Sequence, residues 1–462
     1  MTDTNALYAV SPLDGRYSGR TAPLSPYASE AALMRARVRV EVEYLLALAD
    51  LEVTPLEIDV DERDQLRGLY RSFAEEDARL IKKLETEGHA GFEATNHDVK
   101  AVEYYIRHNL PANSDASAWI HFGLTSEDVN NLAHRLLVRD AVEDVLLPEL
   151  HGLADTLGGM AREYRDLSML ARTHGQPATP TTFGKEMAVY AGRLGTAIGR
   201  IRRATDGLRG KLGGASGTYA AHHAAYPDVD WQAFARSFIE DDLALGFEPL
   251  TTQVNPCDDL ATLFDALRGA NDVLLDLDLD MWLYVSDRYL GQEAVAGETG
   301  SSTMPHKVNP IDFENSEGNL SKANSDLTFL ADYVTTSRLQ RDLSDSTVKR
   351  NIGGAFAHCL IGYNKTAAGL SKVVPNEQVM RDDLDDTPAI LGEAVQTILR
   401  REGQEDAYEQ VKALTRGREV TLEDFRDLFD DLDVDEGVRE ELHALTPATY
   451  TGVADDLIDD LE

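Results

Sequence analysis

The chain of 462 residues is 43% apolar and carries 44 basic against 81 acidic side chains, a formal net charge of −37. The length suits roughly two to four domains, and the regular spacing of the apolar residues excludes a disordered chain. The negative charge excludes nucleic acid and anionic membrane surfaces as partners, because both would repel the protein.

The acidic residues form runs such as Asp382–Asp386 and Asp430–Glu436. These runs favour the acid-coated surface of a halophilic protein, whose self-repulsion concentrated salt screens. The alternative is a solvated charged face with no specific role. Cys257 and Cys359 have no CxxC neighbour, which predicts buried thiols in a reducing cytosol. The first residues lack a signal-peptide pattern, and no apolar run could span a bilayer, so we predict a cytoplasmic protein.

Three long helices are predicted by apolar residues that recur every three or four positions. In chain order the stripes run from Leu146 to Tyr164, from Phe183 to Leu208 and from Leu260 to Tyr284. Pro148 marks either a first helical turn or a kink. Helices of about 25 residues exceed the usual globular length and indicate a long antiparallel bundle that can also pack against other subunits.

Breaks rich in Pro and Asn interrupt this helical pattern at Asn109–Asp115 and Val373–Gln378. No alternation of strands and helices is present, and strand signals are sparse. We therefore predict an all-α fold of three helical domains. They comprise residues 1–114, a central bundle at 115–364, and residues 365–462.

Reactive side chains concentrate in three regions outside the stripes. These are Thr95–Tyr105, then His121–Asn131 together with Arg172–Glu186, and finally the loop Gly297–Pro310. Each precedes a predicted helix, and helix N-termini bind anions. The sequence TSED at 125–128 is a capping signature. His174 lies among Gly, Thr and Pro residues, which favours a catalytic role over a structural one.

Other site motifs are absent from the sequence. It contains no GxSxG, P-loop, HExxH or GxGxxG pattern. Gly213–Gly217 lacks the spacing of a nucleophile elbow. His222 and His223 are adjacent and would point apart, so we predict no metal site there.

The loop GSSTMPHKVNP resembles the signature of the fumarase/aspartase superfamily. Within it, the chain from about residue 8 to 455 resembles the adenylosuccinate lyase family, through segments such as SPLDGRY, TNHDVKAVEY, HFGLTSEDVNNLAH, ARTHGQPATPTTFGKEMA and RDLSDSTVKRN. The resemblance implies elimination of fumarate from adenylosuccinate, giving AMP, and from the succinylated aminoimidazole carboxamide ribotide of purine biosynthesis. It also implies a homotetramer with a merged helical core and active sites shared between subunits, and no metal or organic cofactor.

Such a β-elimination needs a base, an acid, a group that holds the carbanion's charge, and a grip on the phosphate. The resemblance implies Ser301 as the base and His174 as the acid, with Glu314 orienting His174. The implied substrate-binding residues are Arg16, Tyr17, Asn96, His97, Asp98, Thr125, Ser126, Gln253, Ser302, Lys307, Asn309, Asn315, Arg341, Ser346, Thr347, Lys349 and Arg350.

Two features depart from the family pattern. The segment at 87–94 looks longer than usual, and Lys349 stands where an apolar residue is common. Three alternatives to the purine enzyme are a sibling lyase acting on argininosuccinate, aspartate or fumarate, a non-catalytic scaffold with the same fold, and a serine hydrolase. His306 and the RTHGQPATP segment favour the purine branch. Intact Ser301, His174 and Lys307 argue against a scaffold.

Overall fold

The computed structural model describes residues 7–112, 114–293, 308–417 and 420–461. Within these ranges the chain is mostly helical, with a few short strands. Three predicted site residues, Ser301, Ser302 and Lys307, lie outside the described residues. No described helix combines the length and the apolar character that crossing a membrane requires.

The α-helices are numbered in chain order. The first ten, α1 to α10, are Ser18–Thr21, Ser25–Ala28, Glu30–Ala49, Val60–Arg71, Glu75–Thr86, Asp98–His108, Ser126–Ala141, Leu147–Glu163, Phe183–Asp206 and Ala220–Ala225. The next ten, α11 to α20, are Trp231–Ser237, Asp258–Ser286, Ile311–Val334, Ser344–Lys349, Ile352–Leu370, Glu377–Asp385, Gly392–Arg401, Ala407–Thr415, Leu422–Asp431 and Glu436–Ala444.

The described strands form three two-stranded sheets. Strand β1 (Ser168–Thr173) pairs antiparallel with β2 (Gln176–Thr182), and the register shifts between Leu170 and Arg172. Strand β3 (Arg209–Gly210) pairs parallel with β4 (Gly246–Phe247). Strand β5 (Leu290–Gln292) pairs antiparallel with β6 (Val373–Pro375). These short sheets leave the fold in the all-α class that the sequence predicted.

The three long helices predicted from apolar spacing are confirmed as α8, α9 and α12. Their stripe residues are buried, as at Leu153, Leu194 and Leu267. Pro148 is the second residue of α8, and a π-helical turn at Val142–Leu146 joins α8 to α7. Proline has no N–H and its ring displaces the carbonyl four residues earlier, so a local widening of the helix accommodates it. Pro148 thus stands in a first turn, immediately after a local change in helix type.

The chain forms two compact units, each made of three segments. The first unit comprises residues 1–149, 197–272 and 318–362, and the second comprises 150–196, 273–317 and 363–462. In the first, Ala32, Leu33 and Ala36 of α3 pack with Ala133 and Leu137 of α7. In the second, a separate core joins the C-terminal helices, with Phe425 and Phe429 fully buried. The three-domain division predicted from the sequence remains a prediction.

The second unit contains a buried carboxyl, Asp278 of α12, that is 2% exposed. It accepts hydrogen bonds from the Thr366 hydroxyl at 3.0 and 3.3 Å, and that hydroxyl lies 2.8 Å from the Ser316 hydroxyl. Burial raises the pKa of Asp278 to about 7, although the hydroxyl hydrogen bonds oppose the shift. The carboxyl therefore holds its proton in the folded protein at pH values where the unfolded chain has lost it.

This raised pKa predicts a pH-dependent stability. The contribution of Asp278 is complete below the unfolded pKa of about 4 and is lost as the pH rises to about 7. The loss is on the order of 4 kcal/mol, about three pKa units at ~1.4 kcal/mol each. The Asp278→Asn variant lacks this loss. Its melting temperature relative to that of the wild type should therefore increase from pH 5 to pH 8. Asp265→Asn, an exposed carboxylate of the same helix, is the control. Parallel pH profiles for Asp278→Asn and wild type would contradict the prediction.

Candidate active site

The first group of predicted binding residues lies where α6 begins. His97 is the N-cap residue, and its Nδ1 accepts a hydrogen bond of 3.2 Å from the backbone N–H of Lys100. Asn96 precedes it with a left-handed backbone, φ +46°. Both side chains are exposed. They therefore lie beside a helix N-terminus, whose N–H groups favour anionic ligands.

Asp98, the first residue of α6, is held by two arginines. Its Oδ2 accepts from Arg37 Nη2 at 2.8 Å and from Arg350 Nη2 at 3.0 Å. Arg350 Nη1 also donates to Glu30 at 3.4 Å. Burial opposes ionisation of Asp98, but the Arg37 charge and hydrogen bond hold the pKa of this carboxyl below its usual value. The structure thus brings together Asp98 and Arg350, which the sequence assigned to one site.

Helix α7 begins at the predicted carboxylate-binding pair, Thr125 and Ser126. Thr125 is the N-cap residue, and its N–H donates to Asp128 Oδ2 at 2.9 Å, which confirms the capping signature. Asp128 is fully buried, accepts from the Gly213 N–H at 3.0 Å and ion-pairs with buried Lys211 at 2.7 Å. The N-terminus of α7 is therefore fixed to a second segment of the same unit.

His121, four residues before this cap, pairs with a buried glutamate. Its Nδ1 lies 2.5 Å from Glu41 Oε1, and its backbone is left-handed, φ +62°. Burial disfavours the charged imidazole, but Glu41 raises the pKa of His121 above its ordinary value. The sequence assigned His121 no role, because nothing local pairs it with a residue 80 positions away.

A second, partly buried network adjoins Ser126. Arg341 Nη1 donates to Gln253 Oε1 at 3.2 Å, and Arg341 Nη2 lies 3.7 Å from Glu127 Oε2. Lys349 Nζ lies 3.3 Å from Glu127 Oε1 and 2.7 Å from Asp345 Oδ2. Two predicted binding residues, Gln253 and Arg341, are thus in direct contact, and Glu127 connects them to Lys349.

The surroundings of Lys349 differ from those of a phosphate ligand. Its side chain is 3% exposed, and its ammonium faces two carboxylates. Ser346, Thr347 and Arg350, from the same segment, are at least partly exposed. The position of Lys349 therefore favours an indirect role over the direct contact that we predicted. Its sequence neighbours are more exposed, because the side chains of a short helix point to different sides.

His174 lies at the turn of the β1–β2 hairpin, which the sequence did not predict. Thr173 pairs with Gln176, so His174 and Gly175 form a two-residue loop. Both have positive φ, +54° and +72°, as in the type I′ turn that matches the twist of a hairpin. The imidazole is exposed at the tip of the hairpin, where it can reach a bound molecule.

Arg172, two residues before the turn, connects the hairpin to other segments of the second unit. Its Nη2 donates to Asp383 Oδ2 at 2.7 Å, and its Nε lies 3.5 Å from Asp287. The Tyr289 hydroxyl donates to the same oxygen of Asp383. These contacts attach β1 to two other segments of the second unit, so they help to set the position of His174.

Three more residues of the predicted site lie at or just before the start of α13. Glu314 Oε1 accepts from Trp282 Nε1 at 3.2 Å. Within the described part of one chain, no hydrogen bond joins Glu314 to His174. Asn309 and Asn315 are partly buried near the same helix start. The orienting role implied for Glu314 therefore has no counterpart inside the described chain.

The predicted residues divide between the two compact units. The second unit holds His174, Asn309, Glu314 and Asn315. The first unit holds Arg16, Tyr17, Asn96, His97, Asp98, Thr125, Ser126, Gln253, Arg341, Ser346, Thr347, Lys349 and Arg350. Within the first unit, the contacts form the Asp98–Arg350 and Gln253–Arg341 pairs. Arg16 is exposed and Tyr17 is the half-buried N-cap residue of α1.

Comparison with known proteins decides the family. A lyase family model matches residues 15–324, and an adenylosuccinate lyase C-terminal model matches residues 337–451. The adenylosuccinate lyase of Escherichia coli strain K12 is 44% identical over 100% of both chains. Those of Haemophilus influenzae and Dictyostelium discoideum are 43% and 44% identical, with 98–99% of each chain covered.

The chain belongs to the adenylosuccinate lyase family. The prediction of a C–N lyase of this family is therefore confirmed. Solved structures show that the fold is shared more widely. A fumarate lyase from Mesorhizobium sp. BNC1 aligns with a TM-score of 0.76 at 21% identity, over 95% of this chain and 96% of that one. A 3-carboxy-cis,cis-muconate lactonizing enzyme from Pseudomonas putida aligns with a TM-score of 0.74 at 21% identity, over 95% of both chains.

Proposed function

We propose that this member of the adenylosuccinate lyase family eliminates fumarate from adenylosuccinate, giving AMP, and from the succinylated aminoimidazole carboxamide ribotide. The observation that carries the proposal is identity of 43–44% to curated adenylosuccinate lyases over essentially the whole chain. The acidic surface is compatible with small nucleotide substrates, because local arginines bind anions whatever the sign of the net charge.

In the proposed chemical step, two residues each carry out one proton transfer. Ser301 removes a proton from the carbon beside the succinyl carboxylate, and the electron pair expels the nitrogen as the C–N bond breaks. His174 gives its proton to that nitrogen, so the products are fumarate and a neutral amine. A serine hydroxyl is a weak base and needs stabilisation as the alkoxide, which Lys307 and Asn309 supply. Ser302 binds the substrate in the same loop.

The anionic ends of the substrate are assigned to the first unit. Thr125 and Ser126 bind a succinyl carboxylate at the fixed N-terminus of α7. His97, together with Asn96 and Asp98, positions the leaving group. Gln253 forms a hydrogen bond to the substrate. The phosphate and base are assigned to Arg16, Tyr17, Arg341, Ser346, Thr347 and Arg350. Asn315 also contacts the substrate, and Glu314 orients the acid.

The direct test is ultraviolet detection of fumarate release. Purified protein should convert both succinylated substrates, at a salt concentration where it is folded by circular dichroism. Argininosuccinate and aspartate, the substrates of sibling lyases, are the controls and should remain unchanged. Folded protein that releases no fumarate from adenylosuccinate would refute the proposal.

The proposed assembly is a homotetramer in which different subunits complete each active site. Apolar side chains on the long helices support association. On α12, Leu279 is 49% exposed, Trp282 43% and Leu283 53%. Large apolar side chains along one helix are typical of a face that another chain covers. The shared site would also supply Glu314 to His174 from a neighbouring subunit.

We also propose a cytoplasmic, salt-adapted enzyme. The net charge of −37 and the exposed acidic runs predict self-repulsion in dilute buffer. Melting temperature and activity should therefore rise with KCl from low to molar concentrations. Replacing Asp385 and Asp386, both exposed, by asparagine should shift the rise to lower KCl. Flat salt profiles would show that the acidic surface is not a salt adaptation.

A further inference from the structure

Glu127 is a buried carboxylate beside a residue assigned to the substrate. It directly follows Ser126 in the first turn of α7, and its side chain is only 2% exposed. A buried carboxylate requires cationic or hydrogen-bonding partners, because desolvation otherwise costs several kcal/mol. Two cations face it, Lys349 at 3.3 Å and Arg341 at 3.7 Å. The two cations therefore flank Glu127, and Lys349 also pairs with Asp345 at 2.7 Å.

The Glu127 carboxylate lies closer to Lys349 than to Arg341. Lys349 Nζ lies within hydrogen-bond distance of Glu127 Oε1, whereas the 3.7 Å between Arg341 Nη2 and Glu127 Oε2 exceeds that distance. Arg341 makes its hydrogen bond to Gln253 instead, and its Nε has no partner within the described residues. Arg341 thus keeps donors unbonded, although a carboxylate lies beside it.

Lys349 is charged in this environment. Burial alone would lower its pKa, but Cys257, Glu127 and Asp345 raise the pKa of the ammonium above its usual value. A neutral residue at 349 would leave Arg341 as the only cation among the described residues that faces Glu127. Coulomb attraction in a buried site would then draw the guanidinium into a direct ion pair with that carboxylate.

We propose that Lys349 is a positioning residue that neutralises Glu127 and so keeps Arg341 able to bind the substrate's phosphate. The inference rests on the proposed function, in which Arg341 grips that phosphate. It replaces direct phosphate binding by Lys349 with an indirect role. Lys349 also ties α14, which carries Ser346 and Thr347, to the N-terminus of α7. One ammonium therefore connects the segments assigned to the two anionic ends of the substrate.

Three variants test the proposal by kinetics and inhibition. In Lys349→Met, KM and the inhibition constant of AMP should rise roughly tenfold or more, as expected for a lost charged hydrogen bond. Turnover at saturation should change little, and inhibition by adenosine, which has no phosphate, should stay constant. Glu127→Gln should keep wild-type AMP inhibition, because no carboxylate then competes for Arg341. Adding Glu127→Gln to Lys349→Met should restore AMP inhibition.

The control is Lys322→Met, which removes an equal charge from an exposed ion pair with Asp326. Unchanged AMP inhibition in Lys349→Met, equal weakening of AMP and adenosine, or no restoration in the double variant each overturns the proposal. Where Lys349→Met does not fold, the double variant decides: AMP inhibition as in wild type supports the indirect role, and weak inhibition overturns it. Wild-type protein that neither releases fumarate nor binds AMP by calorimetry refutes the proposed function and this inference together.

Discussion

Replacing Ser301 by alanine should lower turnover by roughly 10²–10⁴-fold, the usual effect of removing a general base, while substrate still binds. His174→Ala should cause a loss of similar size, because the departing nitrogen then has no proton donor. Single-turnover measurements with adenylosuccinate separate the chemical step from product release, and calorimetry reports binding. The two losses should not multiply in a double variant, because both groups act in one elimination.

Matched controls exist for both substitutions. Ser321 is an exposed serine of α13, and His223 is an exposed histidine of α10. Alanine at either position should leave turnover within about twofold of wild type, as is usual for surface substitutions. A Ser301→Ala enzyme with near wild-type turnover would refute its assignment as the base. A folded His174→Ala enzyme with unchanged turnover would do the same for the acid.

Mixing the two inactive variants should regenerate activity if subunits share active sites. When His174→Ala and Ser301→Ala chains are denatured together in equal amounts and refolded, each site draws its acid and its base from different chains. Independent choice gives intact partners in roughly a quarter of sites, one half multiplied by one half. The mixture should therefore recover about 25% of wild-type activity, from parents that are each nearly inactive.

The controls for this experiment are each variant refolded alone and the two mixed without denaturation, which should stay inactive. Hybrid assembly can be shown independently by a size tag on one chain. If hybrids form and the mixture remains as inactive as its parents, then one chain supplies both residues. The shared-site model would then be abandoned, while the assignment of acid and base would stand.

The helical scaffold could be predicted because its cause is local. Apolar residues at a spacing of three or four specify a buried stripe in any context, so α8, α9 and α12 follow from the sequence. The cap at Thr125 is equally local, since the partner Asp128 is three residues away. Pro148 was compatible with either a first helical turn or a kink, and the π-helical turn before it depends on packing that spacing does not encode.

The hairpin that carries His174 could not be predicted in the same way. Pro177 and Pro180 lie in β2 and have no backbone N–H to donate, so the segment lacks an ordinary strand pattern. The local signal in the sequence was the pair His174-Gly175, which can form a two-residue hairpin turn with positive φ. His-Gly is a less common choice for such a turn than Asn-Gly. Ion pairs such as Arg172–Asp383 join residues 211 positions apart, and no local pattern in a single sequence specifies them.

The surroundings of Lys349 depend on the direction of its side chain, which a sequence motif does not specify. The segment STVKR resembles a phosphate-binding stretch, so each of its polar residues was assigned to substrate. In the fold, the side chain of residue 349 enters the interior of the first unit and meets Glu127 from α7. A motif identifies which segment faces a site, whereas the side toward which each side chain points depends on the helix that contains it.

At His174, selection for an unstrained backbone and selection for catalysis would favour different residues. The His174 φ of +54° is strained for a side chain with a Cβ, at a cost of about 1 kcal/mol or more, and glycine or asparagine would relieve the strain. With His174 as the proposed acid, selection for catalysis is expected to retain the imidazole in spite of this strain. In a descendant lineage that keeps the fold but no longer needs the reaction, position 174 should be among the first to drift, and toward glycine or asparagine.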